Sequence, residues 1–345
     1  MGRAALVGFL LAAVVVMLGA WTRLMDAGLG CPDWPGCYGF IHVPQSAEQI
    51  AVAEARFPDA KVEVAKGWPE MIHRYFAGTL GLVIFGIAAY ALKHRRHGLP
   101  LKLPLALAVL VVLQAAFGMW TVTLKLWPQV VAAHLLGGFT TLTLLFLLTL
   151  RLRARPLSAQ EPSNLARFKP WLGMAIAVVV MQIALGAWTA SNYAAVACTE
   201  LPTCHGQWWP AMDWAHGFNV FQHIGPNYLG GQLSGDGRTA IHMAHRMGAL
   251  VVLVFVGTLL VVMALRARGT PLTRWLAVSA GLLGLQIALG LANVAFQLPL
   301  AVAVAHNAGG AALLLSLVNL AWRLHPANDR VTVTEPPITN REATA

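Results

Sequence analysis

Charge is scarce in this chain. Of its 345 residues only 11% are Asp, Glu, Lys or Arg, against about 25% in a soluble globular domain, and 57% are hydrophobic. That balance excludes a soluble domain and points to a polytopic membrane protein. Acidic residues are the scarcer sign: 14 Asp and Glu face 24 Lys and Arg, for a net charge of +10. The excess does not mark a nucleic-acid binder, because no basic face with interleaved aromatics stands out. The basic residues sit instead in short loops between apolar runs. Cysteine is rarer still, with four in the chain.

Eight apolar runs are long enough to cross a hydrocarbon core, which takes roughly 20 residues. They fall at about 4–24, 71–92, 103–124, 129–150, 170–190, 239–264, 273–294 and 300–322. Lys93, Arg95, Arg96 and Lys102 follow the second run; Arg151, Arg153, Arg155, Arg167 and Lys169 follow the fourth; Arg266, Arg268 and Arg274 follow the sixth. The positive-inside rule then predicts cytoplasmic N and C termini, with the long loops 25–70 and 191–238 facing outward. The first run mimics a signal peptide, with Arg3 ahead of it and Gly19 and Ala20 at its end. Its recurrence inside the chain argues that it is retained.

That recurrence is a duplication. Leu18-Gly19-Ala20-Trp21-Thr22 returns as Leu185-Gly186-Ala187-Trp188-Thr189, and Cys31, Cys37 and Gly39 return as Cys198, Cys204 and Gly206, at an offset of 167 (185 − 18). Past the loop the offset is 172 (245 − 73): His73-Arg74 maps to His245-Arg246, Gln114 to Gln286, and His134-x-x-Gly137-Gly138 to His306-x-x-Gly309-Gly310. Four helices per copy give both copies the same orientation. The expected fold is therefore all-α, with eight transmembrane helices as two parallel-repeat four-helix bundles about a pseudo-twofold axis along the membrane normal. The expected divisions are an N-terminal bundle at 1–155, a linker at 156–169 with Pro156, Pro162 and Ser163, a C-terminal bundle at 170–324, and a polar, disordered tail at 325–345 with Pro336-Pro337.

The chain has 12 histidines, and four of them fall inside predicted spans at matched places: His73, His134, His245 and His306. Each pair is 61 residues apart (134 − 73 and 306 − 245), and all four fall at a similar depth near the outer ends. A lone membrane histidine is read first as an interhelical hydrogen bond. Four at one depth, two per bundle, favour axial ligation of haem, whose iron takes one imidazole from each of two facing helices. A zinc or copper site would want three or four converging ligands, and each half supplies two, unless His242 joins in the second. Gly137, Gly138, Gly309, Gly310, Gly248 and Ala249 follow these histidines by three or four residues, leaving room for a macrocycle or for close helix packing. Arg74 and Arg246, directly after the first histidine of each pair, suit haem propionates or snorkel to headgroups. Arg23 has no counterpart, since Ala190 takes its place.

The halves are unequal at one telling place. Glu70-Met71-Ile72-His73-Arg74 is echoed by His242-Met243-Ala244-His245-Arg246, so Glu70 aligns with a histidine. A carboxylate three residues before a ligand shares its helix face and can move protons or stabilise a developing cation. Placed in the first turn of a helix, it would simply be favoured by the helix dipole. Cys31/Cys37 and Cys198/Cys204, each a Cys-x5-Cys pair in an outward loop, are expected to form one disulfide per loop in an oxidising compartment. The same compartment disfavours four thiolates on a metal. Stapling of the loop and redox exchange with a thiol carrier both remain open.

Together, Gly28-Leu29-Gly30-Cys31-Pro32-Asp33-Trp34-Pro35, Glu70-Met71-Ile72-His73-Arg74, His134-Leu135-Leu136-Gly137, His242-Met243-Ala244-His245-Arg246 and His306-Asn307-Ala308-Gly309-Gly310 make the chain resemble the haem A synthase family, CtaA in bacteria and Cox15 in mitochondria. The resemblance covers almost everything but the tail. It implies oxidation of a porphyrin methyl group of haem O to a formyl group, giving haem A, by two successive hydroxylations. It further implies a haem b cofactor on His245 and His306, a haem O substrate site near His73 and His134, and a functional role for Glu70. The first-loop cysteines match a pair linked to activity in many bacterial members. Implied partners are haem O synthase and cytochrome oxidase assembly factors, in a bacterial inner membrane with the cysteine loops periplasmic; a homo-oligomer fits as well. Two other functions use the same histidines: a dihaem cytochrome taking electrons from quinol, which has no need of Glu70, and a haem carrier in oxidase assembly.

Overall fold

Apolar side chains run right round the long helices, with no polar stripe to face water, so the helices bury one side against each other and leave the other for lipid. A computed structural model of the chain describes residues 1–97, 99–153 and 163–324. Its elements are α1 (Gly2–Leu24), α2 (Ala47–Arg56), α3 (Val64–Lys93), α4 (Lys102–Thr123), α5 (Pro128–Arg153), α6 (Lys169–Ser191), α7 (Trp214–Gly217), α8 (Gly235–Arg266), α9 (Leu272–Ala295) and α10 (Leu300–Arg323). All but α2 and α7 are long and apolar enough to cross a membrane, and no strand forms among the described residues, only the isolated bridges Cys37–Phe40 and Cys204–Gln207. The chain is an all-helical, multi-pass membrane protein with the eight spans expected. Leu82, Val109, Met181 and Leu250 lie open on its flanks, where a bilayer replaces water as solvent.

α1, α3, α4 and α5 pack together, as do α6, α8, α9 and α10. The two groups meet reciprocally, α1 on α10 and α5 on α6, with α5 also touching α10. One continuous apolar cluster runs through both groups, from Ala5 and Leu145 in the first to Leu276 and Leu317 in the second. Residues 163–168 of the expected linker form a 3-10 turn leading into α6; the rest of it up to 162, and the tail from 325, lie outside the described residues.

Two helix starts differ from the sequence expectation. α3 begins at Val64 rather than 71, and α8 at Gly235 rather than 239. Pro69 stands inside α3; it is tolerated near the N-terminal end, and its carbonyl accepts the Thr22 hydroxyl from α1 at 3.0 Å. Glu70 therefore lies nearly two turns inside α3, not in its first turn.

Both long loops lie at the same end of the molecule, next to the histidines. The first holds α2, started by a Ser46–Gln49 capping box. The second reaches across to the first group: Gln222 and Val220 carbonyls accept from Trp127 Nε1 (3.1 Å) and Gln129 Nε2 (2.8 Å), and the Tyr228 N–H donates to Lys125 O at 3.0 Å.

Candidate functional site: two imidazole pairs

Each four-helix group brings its two histidines face to face. His73 on α3 and His134 on α5 have ring centroids 6.4 Å apart with the rings 87° to one another. His245 on α8 and His306 on α10 repeat this at 6.4 Å and 76°. A metal ion between two imidazoles needs a nitrogen about 2 Å away on either side, which with the ring radius brings the centroids to about 6 Å; both pairs match. Nδ1 of His73, His134 and His306 is buried and meets no partner at hydrogen-bond geometry. Glycines from neighbouring helices press on all four rings. A Cβ on Gly19, Gly118, Gly186 or Gly290 would stand 3.0, 3.3, 3.2 or 3.2 Å from Cε1 of His73, His134, His245 or His306 in turn. Those glycines fix where each ring can lie, and they are repeat partners: Gly19 pairs with Gly186 at the offset of 167 and Gly118 with Gly290 at that of 172.

Facing imidazoles, two to a site and with a buried unpartnered nitrogen in each site, suit an ion that brings most of its ligands with it. Among the described residues no three His, Cys, Asp or Glu side chains gather to hold a metal. Haem iron asks for two protein ligands, so the residues present fit that group. His242 does not gather with His245 and His306; it is buried, and its Nδ1 pairs with the Ala194 carbonyl at 2.9 Å.

The glycines that follow the histidines have another occupant. Gln114 fills the notch at Gly137, Gln286 that at Gly309, and Gln182 that at Gly248. Close helix packing, not room for a macrocycle, accounts for these three positions. Gln114 and Gln286 were visible as a repeat; Gln182 was not, since Val15 stands at its matched place (182 − 167).

Glu70 is 5% exposed. Its Oε2 accepts from the Cys31 N–H at 3.0 Å and its Oε1 pairs with Arg74 Nη2 at 2.5 Å. Arg74 Nη1 also donates to the Asp33 carbonyl (3.0 Å), the Pro35 carbonyl (3.3 Å) and the Gly36 carbonyl. Arg246 does the same in the second group, to Thr203 O (3.0 Å), Cys198 O (3.1 Å) and Glu200 O (2.8 Å). Both arginines thus clamp the loops closed by the Cys31–Cys37 and Cys198–Cys204 disulfides. Arg74 pairs with Glu70 for a plain reason: a guanidinium one turn after a buried carboxylate on the same helix reaches it. Arg246 keeps one donor, Nε, buried and without a partner.

Arg23, unpaired in the sequence, ties the two groups together. Its Nη2 donates to the Ala190 carbonyl at 2.6 Å, and its guanidinium lies 4.0 Å above the Tyr193 ring. Burial pushes the Tyr193 phenol above its usual pKa, so the ring meets Arg23 as a neutral phenol.

Residues 2–318 match the family model of the COX15-CtaA cytochrome oxidase assembly proteins. The heme A synthase of Shewanella oneidensis is 46% identical over 324 residues, covering 92% of this chain and 96% of that protein. The heme A synthase of Paracoccus denitrificans is 30% identical over 88% of this chain and 82% of its own length, and that of Caulobacter sp. K31 is 30% identical over 92% and 94%.

Proposed function

The chain belongs to the COX15-CtaA family, and on that premise we propose that it oxidises a methyl group of haem O to a formyl group, making haem A for oxidase assembly. The observation that carries the reading is the pairing of two equally spaced imidazole pairs with a single buried carboxylate, Glu70, beside the first. Conversion of methyl to formyl removes four electrons, two for each hydroxylation, and the geminal diol so formed loses water to the aldehyde. A C–H bond of this kind yields only to a strong oxidant, so redox iron belongs in the site.

In this reading His73 and His134 hold the substrate haem and His245 and His306 hold haem b. Haem b supplies one-electron redox chemistry when bound. The Gly19 and Gly118 contacts set the two substrate-side rings, and the packed α1–α5 interface would shield a haem held there from water. Glu70, held by Cys31 and Arg74, takes a proton released at the substrate or steadies positive charge that develops on its methyl carbon. Arg74 holds Glu70 and the disulfide loop in register. Arg246 Nε offers an unpaired donor to an acidic group of haem b. The cysteine loops face the periplasm and both termini the cytoplasm, in the bacterial inner membrane.

The test is the pigment. Protein purified after co-expression with a haem O source is expected to yield haem A or its hydroxylated precursor. Haem b alone at both sites, with rapid reduction by quinol, would replace this reading with an electron-transfer cytochrome, which the equal spacing of the two pairs also suits.

A further inference from the structure

At the end of the molecule opposite the long loops, a groove of about 650 Å³ opens between the start of α6 and the second half of α8. Its lining holds three aromatics: buried Phe168, and Trp171 and Phe255 with ring centroids 6.4 Å apart. Along α8 it runs from Leu250 to Val262, about 18 Å of helix (262 − 250 residues at 1.5 Å each). That is close to the depth of one leaflet, half of a hydrocarbon core of about 30 Å. Among the described residues that line it, Thr258 carries the only hydroxyl.

Cations gather where the groove meets that end. Arg167 and Lys169 flank Phe168, with the Arg167 guanidinium 5.1 Å from the Phe168 ring. Arg266 follows Val262 by one turn on the same face of α8. None of the three has an ion-pair partner among the described residues, and neither 163–171 nor 258–274 contains Asp or Glu. An apolar slot the depth of a leaflet, ending at unpaired cations, has the build of the basic pockets between membrane helices that take phospholipid head groups. A quinone would leave the cations idle and would meet one hydroxyl for its two carbonyl oxygens. The first half lacks the aromatic lining: Met1, Ala4 and Val83 stand at the places of Phe168, Trp171 and Phe255 (168 − 167, 171 − 167 and 255 − 172).

We propose that this groove binds one anionic phospholipid, with an acyl chain between α6 and α8 and its phosphate on Arg167, Lys169 and Arg266. The turn at 163–168 ends the connection between the halves, and α8 carries His245. The lipid therefore ties that connection to a helix of the second imidazole pair. The proposal depends on neither haem assignment.

The test uses the purified full chain and phosphatidylglycerol with a photoactivatable diazirine in one acyl chain, beside phosphatidylcholine carrying the same chain. After illumination the phosphatidylglycerol label is expected on the peptides that hold 168–171 and 250–262. Unlabelled phosphatidylglycerol should displace it, and phosphatidylcholine should not. Arg167→Gln, Lys169→Gln and Arg266→Gln are each expected to weaken binding about fivefold. The labelling pattern of the parent carries the test if a variant does not fold. Equal labelling by the two lipids overturns the proposal, because the cations would then select nothing. A label that misses both peptides overturns it as well, as a second copy of the chain seated in the groove would cause. Stronger displacement by decyl-ubiquinone than by phosphatidylglycerol overturns it in favour of a quinone site.

Discussion

The two halves set their imidazoles at the same separation, 6.4 Å between ring centroids, press a glycine on each ring, and clamp a disulfide loop with an arginine at the same place. What they put around that frame is different. The first half has Glu70 tied to Cys31 and Arg74, and Val15 behind His73. The second has His242 tied to the Ala194 carbonyl, and Gln182 behind His245. The matched residues set the geometry of each imidazole pair; the unmatched ones are where the proposed division between substrate and cofactor haem has to reside. A comparison of this kind is informative because the scaffold is its own control.

The largest effect expected is a swap of phenotypes between histidine pairs. His245→Ala and His306→Ala should strip the purified protein of its bis-imidazole haem b spectrum. His73→Ala and His134→Ala should keep that spectrum and abolish product. Loss of the resident spectrum from the first-half variants instead would reverse the assignment of halves.

Next comes Glu70→Gln. The amide oxygen can still accept from Cys31, and Arg74 keeps its three loop carbonyls, so the fold should survive. Product formation should fall roughly 10²- to 10⁴-fold, the usual worth of a positioned proton carrier, with haem b content unchanged. Turnover at the parent rate would sink the role given to Glu70.

Much of this was legible without coordinates, for identifiable reasons. Spans announce themselves by hydropathy, and the four histidines by their repeat spacing. The mismatch of Glu70 with His242 showed because the flanking His-Arg motif fixed the alignment. The start of α3 was hidden because its first two turns, Val64 to Glu70, are too polar to join the apolar run. The loop partners of Arg74 and Arg246 were hidden because they are backbone carbonyls, which leave no mark in a sequence. Gln182 was hidden because a lone Gln-for-Val difference between repeats looks like drift until the ring behind it is seen.

A smaller contrast separates the two arginine clamps. Arg74→Leu strands a buried carboxylate and should cost about 3–5 kcal/mol, the usual penalty for breaking a buried pair from one side. Arg246→Leu removes donors from carbonyls that loop water can reach. It should cost about 2 kcal/mol. Thermal unfolding of the two purified variants, followed by tryptophan fluorescence, checks the order; equal losses would mean that Glu70 finds another partner.

The smallest effect lies where the halves touch. Arg23 donates to Ala190, which occupies Arg23's own place in the second copy (23 + 167). The position that lacks the arginine in the second copy is thus the one whose backbone receives it. The Arg23 side chain is 17% exposed, and its guanidinium lies over the neutral Tyr193 ring. A partly desolvated cation over an aromatic face should couple by about 1 kcal/mol. The double-mutant cycle of Arg23→Ala with Tyr193→Leu isolates that coupling from the Ala190 bond, which both Arg23 variants lose alike. Additive losses would place the whole of the latch in the carbonyl bond. A coupling near the expected size would make the asymmetry at position 23 a device for joining the halves, separate from the asymmetry at Glu70.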